Sequence, residues 1–179
     1  RSRYDVYLDS IKKNEKAELI IYEHGFNNYS DILPLSGLSN SKTIVCNELG
    51  YFSSYLSDRF GFNNPDYVHD ANVVDFLLIG DSLINGDCVN RPNDISSVIR
   101  DISDKSVVGF GYGGMGPLRE YAMLKEYFPN NVKNVIWFYS ELNDIDDLRK
   151  ELGETKLVKY LKDDFFIQNL KLKQKQIDK

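Results

Sequence analysis

A serine at the end of an apolar segment is the residue of this chain best suited to covalent chemistry. Residues 76–79 read Phe-Leu-Leu-Ile, and a polar turn, Gly-Asp-Ser-Leu, follows at 80–83. A buried strand that ends in a glycine turn lifts the next hydroxyl above the edge of its sheet, where an electrophile can reach it. Ser82 is therefore predicted to be a nucleophile.

Two later turns carry groups that stabilise an oxyanion. Residues 109–116 read Gly-Phe-Gly-Tyr-Gly-Gly-Met-Gly, and glycines let backbone amides approach a ligand closely. Residues 141–144 read Glu-Leu-Asn-Asp, in which Asn143 offers a side-chain amide. Acyl transfer needs such donors beside the nucleophile. We expect the two turns to meet Ser82 in the folded chain.

The surrounding pattern predicts how these turns are positioned. Apolar strand patterns alternate with helical ones, which favours parallel strands joined by right-handed crossovers. The predicted fold is a three-layer α/β/α sandwich, whose parallel sheet places all three turns at one edge. The predicted strands are 73–79, 107–110 and 135–139, and the predicted helices cover 95–102, 117–128 and the chain from Asp144 onward.

Residues 1–70 differ in style from residues 71–179. The first part reads as an irregular extension that packs on the core, with a hairpin formed by 43–46 and 51–56 around Asn-Glu-Leu-Gly. The second part reads as the α/β core, and the two together as one structural domain. An amphipathic helix is predicted near the C-terminus from the spacing of four apolar residues among lysines: Phe165, Phe166, Leu170 and Ile177.

In order along the chain, the three turns resemble the first three sequence blocks of the SGNH (GDSL-type) hydrolase family. The resemblance covers about residues 57–150, and residues 57–65 are similar to what precedes the nucleophile in a bacterial subset of that family. It implies a flavodoxin-like fold without a cofactor. It also implies that Ser82 is the nucleophile and that the oxyanion hole consists of the N–H groups of Ser82 and Gly114 with the side-chain amide of Asn143.

The base of that family, the histidine of an Asp-x-x-His block near the C-terminus, has no counterpart here. The two histidines, His24 and His69, both precede Ser82. Residues 66–69 match the pattern, but a strand of seven residues at ~3.3 Å each would put His69 at the opposite edge of the sheet. The sequence also supplies three of the family's usual five strands. It therefore reads as the first part of a longer protein, inactive by itself.

Other interpretations of the same residues remain open. Ser82 could cap the helix that follows its strand. The glycine-rich turn could hold a phosphate, although no Gly-x-x-x-x-Gly-Lys-Ser/Thr motif is present. Glu141 stands where the third block of the family usually has glycine.

For Cys46 and Cys88, two buried free thiols are favoured over a single bridge, and two cysteines do not decide the compartment.

Composition limits the range of functions. The chain has 179 residues, is 42% hydrophobic and carries a net charge of −5, which indicates a globular domain and argues against nucleic-acid binding. No apolar run is long enough to span a membrane. A leader or anchor could precede Arg1, so an extracytoplasmic or membrane-anchored parent protein stays open.

The sequence thus predicts a serine ester hydrolase that acts through a Ser82 acyl-enzyme on an O-acylated carbohydrate or another small ester. The alternative is a non-catalytic SGNH-like domain that binds a ligand or partner. The apolar strand at 135–139 is predicted to be an unprotected sheet edge, which would promote self-association.

Overall fold

The computed structural model describes residues 1–20 and 31–179. No helix among these residues is long and apolar enough to cross a membrane. In chain order the elements are α1 (Arg3–Lys12), β1 (Ala17–Leu19), β2 (Lys42–Ile44), β3 (Ser54–Leu56), a 3-10 helix (Asp66–Asp70), β4 (Val74–Gly80), α2 (Ser82–Asn85), α3 (Ile95–Ser103), β5 (Val107–Gly111), α4 (Pro117–Tyr127), β6 (Val132–Trp137), α5 (Asp144–Glu151), α6 (Thr155–Lys162) and α7 (Leu170–Ile177).

The sheet that carries the predicted turns is parallel. Its strand order is β5-β4-β6. Gly80 pairs with Gly111 on one side of β4, and Ile79 pairs with Trp137 on the other. The carboxyl ends of the three strands therefore lie at one edge of the sheet, and the turns that follow them emerge together.

Helices cover both faces of this sheet. On one face, Leu77 and Ile79 belong to a large core with residues of α4, α6 and α7. On the other face, Leu78 packs with Ile84 of α2 and with residues of α3. Burial on both faces explains why residues 76–79 of β4 are a continuous apolar run rather than an alternating one. The predicted α/β sandwich is confirmed.

Helix α3 buries less of its apolar face than the helical spacing of its apolar residues predicted. Ile95 and Ile99 pack against the smaller core, whereas Val98 is 42% exposed and Ile102 is 77% exposed. The helix packs on β5, which is an edge strand. It therefore has sheet beneath only part of its apolar surface.

The N-terminal part contains more regular structure than predicted. The expected hairpin is present, with Thr43 opposite Tyr55 in an antiparallel β2–β3 pair. Strand β1 pairs with β2 in parallel and completes a second, three-stranded sheet. Leu33, Leu35 and Phe62 lie in the same apolar core as the central sheet. Contacts of this kind join the N-terminal residues to the parallel sheet.

Cys46 and Cys88 form a disulfide, so the prediction of two free thiols is wrong. The two Cα atoms lie 5.1 Å apart, within the range that a bridge requires. They come together because the hairpin packs beside the loop after α2, where Asn90 Oδ1 accepts a hydrogen bond from the Ser54 N–H at 2.9 Å. Sequence spacing does not reveal this packing.

The predicted C-terminal helix is shorter than expected. Helix α7 contains Leu170 and Ile177, but the segment between α6 and α7 is not helical, and Phe165 is 94% exposed. The side chain of Asp163 accepts a hydrogen bond from the Phe165 N–H at 2.9 Å. Such a local turn competes with helical hydrogen bonding and ends α6. Phe166 leaves the helix and packs edge-on against Tyr160.

Strand β6 is an exposed edge of the sheet. Among the described strands it pairs with β4 alone. Val135 is 45% exposed, Ile136 38% and Trp137 43%. An apolar edge strand presents unpaired backbone groups to other chains. The predicted unprotected edge is therefore present.

We expect the protein to self-associate through β6 as its concentration rises, because a second strand would pair with these backbone groups. Val135→Lys should shift the population toward the monomer, since a lysine on an edge strand disfavours pairing. Ile102→Lys, which places the same charge on an exposed apolar position of α3, serves as the control. Light scattering after size exclusion measures the mass; equal masses for the two variants would contradict a role for β6.

Candidate functional site

The turn that carries Ser82 depends on two glycines in adjacent strands. A Cβ atom on Gly80 would lie 2.7 Å from Cγ1 of Ile84. A Cβ on Gly111 would lie 2.5 Å from the backbone nitrogen of Asn85 and 2.7 Å from the carbonyl oxygen of Asp81. Only glycine lets α2 approach the sheet this closely. The two glycines thus position the start of α2 over the ends of β4 and β5.

Ser82 is the first residue of α2, and Asp81 is its N-cap. The side chain of Asp81 accepts a hydrogen bond from the Leu83 N–H at 3.1 Å. The interpretation of Ser82 as the helix cap is therefore wrong. The Ser82 side chain is half-buried, and in the described part of the chain its hydroxyl makes no hydrogen bond. It is available to a ligand.

Asn143 lies beside the Ser82 turn, at the N-cap of α5. Its Nδ2 donates to Oδ2 of Asp81 at 3.2 Å and to Oδ2 of Asp147 at 3.2 Å, while its Oδ1 accepts from Oγ of Ser140 at 2.6 Å. The structure therefore brings the first and third predicted turns together. The Asn143 amide is held by carboxylates, and it would have to release one of them to donate to a bound oxyanion.

Gly114 occupies the left-handed region of backbone space, with φ of +74°. Glycine is favoured there because it has no Cβ. Gly114 lines a cavity of about 540 Å³ between the second turn and the N-terminal residues, and neither Ser82 nor Asn143 is among its described walls. The described hydrogen bonds thus connect Asn143 to the Ser82 turn through Asp81, and none connects Gly114 to that turn.

A carboxylate fills the place that a phosphate would take at the glycine-rich turn. Oε1 of Glu151 accepts from the Gly116 N–H at 2.7 Å, and Oε2 accepts from the Leu118 N–H at 2.9 Å. These amides begin α4, which has no side-chain cap of its own. Glu151 caps that helix from α5, so the phosphate interpretation is wrong for this turn.

His69 belongs to a separate buried network. Its Nε2 lies 2.8 Å from Oδ2 of Asp58, and its ring packs edge-on against Phe60. Asp66, the first residue of the apparent Asp-x-x-His match, pairs instead with Arg59 at 2.7 Å. No described hydrogen bond joins His69 to Ser82. His24 lies outside the described residues.

Sequence reasoning did not find Asp58 as the partner of His69. Asp58 is fully buried, and it also accepts hydrogen bonds from the Phe62 N–H at 3.0 Å and from Nδ2 of Asn64 at 2.9 Å. Asn64 in turn donates to the Gly109 carbonyl oxygen at 2.8 Å. The segment 57–65 was the only sequence feature that pointed to this hydrogen-bond network. This network attaches that segment to β5.

Five carboxyl groups are buried around these turns: Asp81, Glu120, Asp144, Asp147 and Glu151. We call them the acidic cluster. Asp144 and Asp147 lie in the first turn of α5, and both side chains are buried. Glu120 lies on α4, and nothing in the sequence around it indicated that its carboxyl would be buried.

Burial governs the protonation of the acidic cluster. It raises the pKa of Glu120 to about 8, and the charges of Asp144 and Asp81 act in the same direction. Oε2 of Glu120 accepts from Nε1 of Trp137 at 2.5 Å, while Oε1 has no described partner. Burial also raises the pKa values of Asp144 and Glu151. A neutral Glu120 at pH 7 lowers the charge repulsion within the cluster.

The acidic cluster does not form a metal site in this structure. Among residues 1–20 and 31–179, no three histidine, cysteine, aspartate or glutamate side chains are arranged to hold a metal ion. The site residues described are a hydroxyl, a carboxamide and carboxyls. Such groups can bind and position a polar substrate, but a hydroxyl without a base is a weak nucleophile at neutral pH.

No protein-family model, curated protein or solved structure matches the chain. The resemblance to the SGNH hydrolases accordingly rests on the motifs at 80–83, 109–116 and 141–144 and on their order.

Proposed function

We propose that this chain carries the nucleophile of a serine ester hydrolase, which acts through an acyl-enzyme on Ser82. One observation carries the proposal. Ser82 begins α2 at the carboxyl end of a buried parallel strand, half-exposed and with a hydroxyl that no described residue engages. A serine whose role was to cap or pack would use that hydroxyl.

Two further features support acyl transfer. The Asn143 amide lies beside the Ser82 turn through its 3.2 Å hydrogen bond to Asp81, and an amide there would stabilise a tetrahedral oxyanion. The cap of α2 by Asp81 leaves the Ser82 side chain free to face a substrate. By family analogy we propose an O-acylated carbohydrate or another small ester as the substrate.

A non-catalytic domain that binds a ligand or partner is the second candidate. The acidic cluster favours it, because buried carboxyls near Ser82 oppose the negative charge that acyl transfer places on the oxyanion. No described histidine contacts Ser82, so a base would have to be supplied. The two candidates differ in whether Ser82 reacts once a base is present.

Labelling with a fluorophosphonate probe, with imidazole added as an external base, tests the proposal. We expect slow labelling of Ser82 alone and faster labelling as imidazole increases, because imidazole takes the proton that no described side chain accepts. Ser82→Ala should not be labelled. Asn143→Ala should slow the assisted reaction by ~10²–10³, the usual cost of losing one oxyanion donor.

Ser103→Ala is the matched control, since Ser103 lies on α3 and donates to the Ile99 carbonyl. Its labelling rate should equal that of the wild type. Mass spectrometry of the digested protein locates the adduct. An unlabelled Ser82 at high imidazole, in a protein with native circular dichroism, would exclude the hydrolase and favour the binding domain. Rapid labelling without imidazole would show that the chain already contains a base.

A further inference from the structure

A cavity of about 540 Å³ lies between the N-terminal part of the chain and the glycine-rich turn. This volume is typical of small-molecule sites. Its described walls are mainly apolar, and they include Leu19, Leu38, Met115 and Ile177. Gly114, whose N–H is one of the predicted oxyanion donors, also lines the cavity. Arg119 of α4 is the cationic side chain among these walls.

The side chain of Arg119 is buried, and no hydrogen bond from its guanidinium to another described residue is present. The residue is 3% exposed, and its Nε has no hydrogen-bond partner in the described chain. A guanidinium carries five N–H donors, and buried donors are nearly always satisfied. Among residues 1–20 and 31–179, Arg119 forms one ion pair, from Nε to Oε1 of Glu151 at 3.5 Å, which is longer than a strong hydrogen bond.

Glu151 does not satisfy Arg119 because its oxygens are engaged elsewhere. They accept from the backbone amides of Gly116, Leu118 and Arg119 itself, at 2.7, 2.9 and 3.3 Å. The carboxyl among the described walls of the cavity is that of Glu18, which accepts from Oγ1 of Thr43 at 2.7 Å. Burial raises the pKa of Glu18, so its charge opposes an anionic ligand less than that of an exposed carboxylate would.

We propose that this cavity binds a small molecule with an apolar body and a carboxylate, which Arg119 holds through paired hydrogen bonds. The planar guanidinium matches a carboxylate in two parallel hydrogen bonds, and the apolar walls accept the body of the ligand. A phosphate dianion fits less well, because it carries more charge into an apolar cavity close to the acidic cluster. The site stands independently of any reaction at Ser82.

The probes are 4-phenylbutyrate and its matched amide, 4-phenylbutanamide, titrated into the full 179-residue chain and followed by NMR. The carboxylate should bind with an affinity about tenfold or more above that of the amide, since a charged pair of hydrogen bonds is lost. Arg119→Gln should reduce carboxylate binding by a similar factor. Arg119→Lys should recover only part of it, because lysine lacks the planar fork.

Arg149→Gln is the control, since Arg149 is an exposed arginine on α5 paired with Asp146. Its affinity should equal that of the wild type, as should that of Ser82→Ala. If Arg119→Gln does not fold, Ala17→Trp, which fills the cavity from β1, should abolish binding in a folded protein. Equal affinity for the carboxylate and the amide, or saturable binding of inorganic phosphate without binding of 4-phenylbutyrate, would overturn the proposal.

Discussion

Removal of the Cys46–Cys88 disulfide should lower the free energy of unfolding by about 3–4 kcal/mol, because the bridge closes a loop with a sequence separation of 42 residues. The bridge restricts the unfolded chain, and the restriction grows with loop length. Urea unfolding of the oxidised protein, the reduced protein and the Cys46→Ala/Cys88→Ala variant measures the change. The last two should have similar midpoints.

The disulfide also bears on the candidate site. Cys88 lies in the loop that follows α2, the helix that begins with Ser82. The bridge therefore holds the hairpin against the segment that carries Ser82. Two titratable thiols in the unreduced protein, or equal urea midpoints with and without reductant, would contradict this stabilising role.

Replacing Glu120 by glutamine should remove much of the pH dependence of stability between about pH 5 and pH 8. Burial raises the pKa of Glu120 to about 8 from a reference value of 4.5. Between these values the unfolded chain loses the proton and the folded chain keeps it. The folded state thus binds more protons, and stability falls as pH rises, by at most about 1.4 kcal/mol per pH unit from this group.

The sign of this effect on stability distinguishes Glu120 from carboxylates that are paired with a lysine or an arginine. Hydrogen bonds from Lys133 and Arg59 lower the pKa values of Asp75 and Asp66, so their stabilising contributions are lost only on acidification below the reference value of 3.8. Asp144 and Glu151 have raised pKa values and act in the same direction as Glu120. The slope above pH 5 therefore reports on these three carboxyls together with Glu18, whose pKa burial also raises.

Glutamine preserves the acceptor for Nε1 of Trp137 and removes the charge, so Glu120→Gln should match the wild type near pH 5 and exceed its stability at pH 8. Glu48→Gln, at an exposed position of the hairpin loop, should keep the wild-type slope. Thermal or urea unfolding across the pH range gives both curves. Parallel curves for Glu120→Gln and the wild type would show that Glu120 ionises normally in the folded protein.

Strand periodicity and turn composition predicted the parallel sheet and the position of Ser82 at its edge. Both predictions depend on residues that are close together in the sequence. Burial of a strand on two faces requires a continuous apolar run, such as residues 76–79 of β4. The predicted extent of the C-terminal helix was wrong, because the side chain of Asp163 forms a local turn that the spacing of apolar residues does not reveal.

Long-range contacts decided the features that the sequence did not show. The pKa of Glu120 is raised because the fold buries its carboxyl and, to a smaller extent, because it brings the charges of Asp144 and Asp81 near it. The Nε of Arg119 has no hydrogen-bond partner in the described chain, because the Glu151 carboxylate caps α4 from α5. Neither the charge of a side chain nor its helical position specifies which distant residues will exclude water from it.

The sequence by itself determined that Ser82 stands at the tip of a buried strand, followed by a glycine-rich turn and Asn143. Local backbone preferences are sufficient for that, since each motif contains its own turn. The surroundings of Ser82, in which carboxylates hold the Asn143 amide, and the separate pairing of His69 with Asp58 depend on the tertiary structure. Those surroundings depend on burial and on partners distant in the chain.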